Sequence, residues 1–85
     1  MNDVIINSIE DDDGLRCVDI ALATDGQFWF KEFRRDPEDG GRWTLTADYS
    51  ATRFGAEADA FAAASGRIDW FAEVMRKRRL GGGKR

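Results

Sequence analysis

The spacing of apolar residues changes once along the chain. Residues 1–50 favour a period of two. VIINSI (4–9) is short and β-branched, and EDDDG (10–14) ends it as a turn. In LRCVDIALAT (15–24), Val18, Ile20 and Leu22 alternate with Cys17, Asp19 and Ala21. QFWFKEFRR (27–35) packs three Phe, one Trp and four charges into one strand-like run. DPEDGG (36–41) joins Pro, Asp and Gly in a loop. RWTLTADYS (42–50) then alternates most cleanly, with Trp43, Leu45, Ala47 and Tyr49 against Thr44, Thr46, Asp48 and Ser50.

From about Gly55 the period becomes helical. Phe54, Phe61, Ile68 and Met75 recur every seventh residue with Ala58, Ser65 and Ala72 between them, and Trp70, Phe71 and Val74 widen the stripe. Glu57 and Asp59 in the first turns and the Arg/Lys cluster in the last both complement the helix macrodipole. Glycine inside a helix costs roughly 0.5–1 kcal/mol against alanine, so Ser65-Gly66 predicts a bend or brief break. The expected fold is α+β: a four-stranded antiparallel β-meander with one long C-terminal helix packed on one face. Residues 1–80 form the single domain, and 81–85, GGGKR, a flexible basic tail.

The turn at Thr24-Asp25-Gly26 sets the register of QFWFKEFRR. A two-residue Asp-Gly turn would put Asp19 opposite Glu32, a repulsive pair. A three-residue loop with Gly26 left-handed puts Leu22 opposite Phe28, Ile20 opposite Phe30 and Asp19 opposite Lys31, and is favoured because it joins apolar to apolar and acid to base. Val18, Ile20, Leu22, Phe28 and Phe30 then line the helix-covered core with Trp43, Leu45, Ala47 and Tyr49. The reverse face carries Trp29, Lys31, Phe33 and Arg35, joined by Arg42 or its neighbours and by Thr44 and Thr46. Exposed large apolar side chains on such a face point to a contact site.

Composition narrows the chemistry. At 85 residues with 42% hydrophobic content, one core is affordable and no second domain fits. The chain has no histidine, the commonest general base and transition-metal ligand, and a single cysteine, Cys17, with no imidazole to activate it. The cluster Glu10, Asp11, Asp12, Asp13 lacks the spaced ligands and closing Glu of a calcium loop. No glycine-rich phosphate loop leads from a strand into a helix. We therefore expect no enzyme, no catalytic residues, no metal and no cofactor. No stretch has the length of a membrane span, and MNDVIINSIE lacks a signal-peptide pattern, so a cytoplasmic location is expected.

Charge is divided along the chain. Residues 1–75 hold all 16 carboxylates and 7 of the 13 basic residues, a balance of -9, whereas RKRRLGGGKR (76–85) holds the rest. Arg76, Lys77, Arg78 and Arg79 have two readings, a nucleic-acid contact or cations that meet a helix C-terminus. On the sheet, the alternation of Trp29, Lys31, Phe33 and Arg35 suits single-stranded nucleic acid, whose bases stack on rings while cations meet phosphates. The candidate nucleic-acid-binding set is thus Trp29, Lys31, Phe33, Arg35, Arg42, Arg76, Lys77, Arg78 and Arg79. The expected function is that of a homodimeric domain binding single-stranded nucleic acid, with dimer burial of the aromatic pair compatible if a groove is left. The alternative is an adaptor that docks a protein on the same face or a sheet edge, with the acidic turn steering approach.

The run FKEFRRDPEDGGRWTL followed by a helix resembles the small single-stranded-DNA-binding transcriptional coactivators with a Whirly-type β-meander and C-terminal helix. The likeness covers about residues 15–79 in layout, and in residues the strand, D-P-x-x-G loop, strand, helix order. It implies a dimer, single-stranded DNA binding and transcription regulation. That family has a strongly basic sheet surface and a glycine-lysine turn where this chain has DPEDGG.

Overall fold

The Thr24-Asp25-Gly26 turn closes as the three-residue loop. Gly26 takes φ 87, its N–H donates to Ala23 O at 2.9 Å and the Ala23 N–H donates to Gln27 O at 2.8 Å. A side chain would disfavour this left-handed geometry. The resulting pairs are Leu22 with Phe28, Ile20 with Phe30 and Asp19 with Lys31, as the sequence predicts. The computed structural model describes residues 2–82.

Four strands, β1 (Val4–Glu10), β2 (Arg16–Leu22), β3 (Phe28–Arg35) and β4 (Trp43–Asp48), form one sheet in the order β1-β2-β3-β4. All neighbours are antiparallel. The β1–β2 turn is held by Asp11, whose Oδ1 accepts from the Leu15 and Arg16 N–H groups at 2.9 and 3.2 Å. A single 3-10 turn, Pro37–Asp39, shapes the DPEDGG loop, with the Asp36 side chain capping it through the Glu38 N–H. After β4 the chain returns to the sheet at Phe54, which exchanges backbone hydrogen bonds with Phe28 at 2.8 and 2.9 Å.

The helical part is two helices, α1 (Glu57–Arg67) and α2 (Asp69–Gly82), rather than the one long helix expected. Gly66 stays inside α1, and the break falls at Ile68, with φ -123 and ψ 106. Ile68 serves both ends: its N–H donates to Ala64 O at 2.9 Å and its carbonyl accepts the Ala72 N–H at 3.0 Å. The extended conformation suits a β-branched residue, so the local weakness near Gly66 is resolved two residues later. Helix α2 reaches Gly82, inside the stretch expected as a tail, and residues 83–85 of that tail lie outside the described residues.

Both helices cover one face of the sheet. Ile9, Val18, Ile20 and Phe30 meet Ala60, Ala64, Ile68, Phe71 and Val74 in one buried cluster. Ala60 and Ala64 are small, which lets α1 approach the strands closely. Tyr49 stacks on Phe30 with ring centroids 4.8 Å apart. The anticipated stripe is rotated: Phe54, Phe61 and Met75 flank the cluster instead of forming its centre. Glu32 also lies under the helices, where its Oε2 accepts the Trp70 indole N–H at 2.8 Å. That bond satisfies both polar groups at the edge of the core.

Two expected core residues are elsewhere. Trp43 and Leu45 are 38% and 48% exposed. The β3–β4 register shifts between Glu32, paired with Ala47, and Phe33, paired with Leu45. Thr46 is the extra residue of this bulge. One inserted residue exchanges the faces of every side chain beyond it, so Ala47 and Tyr49 stay on the helix side while Leu45 and Trp43 join Phe33 and Arg35 on the other.

Candidate interaction face

The helix-free face is built by alternation in β2 and β3 and by the bulge in β4. Its centre is a cleft of about 220 Å³ lined by Ser8, Glu10, Cys17, Asp19, Phe33 and Trp43. Register explains the gathering: Ser8 pairs with Asp19 and Glu10 with Cys17 across β1–β2, while Cys17 pairs with Phe33 across β2–β3. Leu45, opposite Phe33, extends the apolar area beyond the cleft.

Asp19 organises the floor. Its Oδ1 accepts from the Ser8 hydroxyl and from the Cys17 thiol, the latter at 3.3 Å. Burial, then the hydrogen bond to Asp19 and that carboxylate's charge, pushes the Cys17 thiol up from 9.0 to about 12. A thiol held protonated is a poor nucleophile at neutral pH. Among the described residues, no three of His, Cys, Asp and Glu gather to hold a metal ion. No helix among them is long and apolar enough to cross a membrane.

The residues predicted from sequence to form the binding surface divide in three. Lys31, Phe33 and Arg35 share the helix-free face. Lys31 Nζ stands 4.8 Å from the Trp29 ring centre and pairs in register with Asp48, whose carboxyl is held below its ordinary value by Ser50 hydrogen bonds and, to a lesser degree, by Lys31. Arg35 donates from Nε to Gly14 O at 2.8 Å, stacks 4.5 Å above the Trp43 ring and approaches Glu10 to 4.0 Å. Both cations are already engaged within the chain.

Trp29 is on this face but closed in. It is 7% exposed and packs with Ala21 and Ala23, and its indole N–H donates to Asp3 Oδ2 at 2.7 Å. The expectation of an exposed Trp29 is corrected here: the chain preceding β1 and the Lys31 side chain occupy the space that a stacking base would need.

The remaining cations stand apart. Arg42 is exposed in the loop before β4. Arg76, Lys77 and Arg78 are exposed on α2, in the layer behind the sheet, and the side chain of Arg79 lies outside the described residues. Arg76 pairs with Glu73, and Lys77 donates to Asp12 at 2.6 Å, tying α2 to the β1–β2 turn. The helix cations and the sheet aromatics therefore do not form one continuous patch.

Sequence reasoning assigned Cys17 and Asp19 to the correct face but gave them no role, and it missed Trp43, Leu45, Ser8 and Glu10. Alternation alone could not reveal the bulge that moves Trp43 and Leu45. No protein-family model, curated protein or solved structure matches the chain.

Proposed function

We propose that this chain is a non-enzymatic interaction domain that docks another polypeptide on the helix-free face of its sheet. The observation that carries this reading is the grouping of Phe33, Trp43 and Leu45 on a face over which no described element packs, with Trp43 38% and Leu45 48% exposed. Apolar side chains gathered in this way on a soluble surface mark contact sites. Carboxylates of Glu10 and Asp19 stand beside Lys31 and Arg35 on the face, and this mixed charge suits a polypeptide better than a polyphosphate chain. The free, buried Cys17 suits a reducing compartment, and we read the chain as cytoplasmic.

A photo-crosslinking amino acid introduced at Leu45, with a control at the exposed Ala62 of α1, tests the proposal in cells. The expected result is a discrete cross-linked protein from position 45 and none from position 62. Equal labelling from both positions, or none from 45, overturns it. A cross-link to a second copy would identify the partner as the chain itself and the unit as a homodimer, with the face buried isologously.

A second reading is a homodimeric single-stranded-nucleic-acid binder. It is favoured by the exposed Arg76, Lys77 and Arg78 of α2 and by the Whirly-type likeness. Binding of a labelled oligonucleotide that weakens with salt and with Lys77→Ala or Arg78→Ala, but not with Leu45→Lys, would favour it.

A further inference from the structure

The cleft has a chemistry more specific than the face around it. Two of its six lining residues are carboxylates, Glu10 and Asp19, and two are aromatic, Phe33 and Trp43; none is cationic. Carboxylates beside ring faces favour an organic cation, which gains from both the charge and the ring quadrupole. Arg35 displays that pairing within the chain, with its guanidinium 4.5 Å over the Trp43 ring and 4.0 Å from Glu10 at the margin of the cleft.

Size and preorganisation restrict the occupant. At about 220 Å³ the cleft is smaller than the roughly 300–1,000 Å³ typical of small-molecule sites. It suits one side chain. Asp19 is fixed by two donors on Oδ1, from Ser8 and Cys17, and no hydrogen bond among the described residues uses its Oδ2. Burial and the Asp19 hydrogen bond do most to raise the Cys17 thiol, and the charges of Asp19 and, least, Glu10 add to it.

We infer that the cleft between Glu10, Asp19, Phe33 and Trp43 receives an arginine side chain of the docked polypeptide. A planar guanidinium can stack on an aromatic ring while donating in-plane to carboxylate oxygens, which an ammonium cannot do. This inference rests on the reading of the sheet face as a docking surface and supplies the chemistry of the partner.

The test is amide NMR of the isotope-labelled chain titrated with acetyl-Gly-Arg-Gly-amide. The matched peptides carry citrulline, the neutral isostere, or lysine, and a thymidine oligonucleotide is the further comparison. The arginine peptide should give saturable shifts at Ser8, Cys17, Asp19 and Phe33. Citrulline should give none, and lysine should bind more weakly. Glu10→Gln should weaken arginine binding about tenfold, the loss of one charge-assisted hydrogen bond, while the spectrum shows the fold intact. Asp19→Asn should do the same.

Equal shifts from citrulline, no change in either variant, no saturable shift, or the same resonances moved by the oligonucleotide would each overturn the assignment. Failure here with a Leu45 cross-link retained removes the arginine site and leaves the docking face. Loss of the cross-link removes the docking face itself.

Discussion

Trp29 donates its indole N–H to Asp3 at 2.7 Å, and this bond converts the most prominent aromatic of the sheet from a surface group into a packing group. The ring covers Ala21 of β2 and Ala23 just beyond it, two small residues that would otherwise leave this edge of the sheet face bare. Asp3 fastens the start of β1 to β3, two strands away.

Removing that ring should therefore act on stability. Trp29→Ala is expected to cost about 3 kcal/mol in urea unfolding, within the range for large buried aromatics. Asp3→Ala should cost about 1 kcal/mol, since one partner of a charge-assisted hydrogen bond is lost. A Trp29→Ala chain as stable as the parent would show that the ring is free in solution.

The bulge at Thr46 predicts a contrast between two apolar residues. Leu45→Lys should change unfolding free energy by no more than about 0.5 kcal/mol, because the side chain already meets solvent. Phe30→Ala, from a fully buried position, should cost about 3–5 kcal/mol. A collapse of stability in Leu45→Lys would return that residue to the core and remove the bulge.

Gly26 fixes the register that sorts the two faces. Its φ of 87 is a left-handed conformation, and Gly26→Ala should cost about 1–2 kcal/mol by placing a Cβ against the following carbonyl. Beyond Gly26 and its two chain neighbours nothing lies within 4 Å of the added Cβ, so the loss comes from local backbone conformation alone. Thermal unfolding of the variant checks it.

Cys17 makes stability depend on alkaline pH. Its folded thiol titrates at about 12 against 9.0 ordinarily. Below 9.0 the thiol is neutral in both states and the contribution is constant. Between 9.0 and about 12 only the unfolded chain ionises, so stability falls as pH rises. Urea unfolding at a mildly and a strongly alkaline pH should show a steeper loss for the parent chain than for Cys17→Ala. Alkylation by iodoacetamide at neutral pH should be slow in the folded state and faster in Asp19→Asn.

Much of the fold was legible because it rests on local chemistry. Turn residues at Glu10–Gly14 and Thr24–Gly26 and the alternation of Val18, Ile20, Phe28 and Phe30 are enough to set three strands and the face that the helices cover. The change of period near Gly55 marks the helical part. Ile68 shows the limit, for its extended backbone is shared between two helix ends and the periodicity runs through it without interruption. Glu32 shows it again, because a carboxylate under the helices is tolerable only with Trp70, 38 residues away, donating to it.

The candidate site was readable in part. Sequence by itself determined that β2 and β3 present two chemically different faces and that one of them carries Cys17, Asp19, Lys31, Phe33 and Arg35. Tertiary structure decided which aromatics that face exposes. Asp3 reaches across the sheet to close Trp29 in, and one unpaired residue at Thr46 turns Trp43 and Leu45 outward. Both effects depend on how separate strands meet in the assembled sheet, so no period along the chain records them. Strand alternation is a property of each segment, whereas register and cover are properties of the assembled sheet.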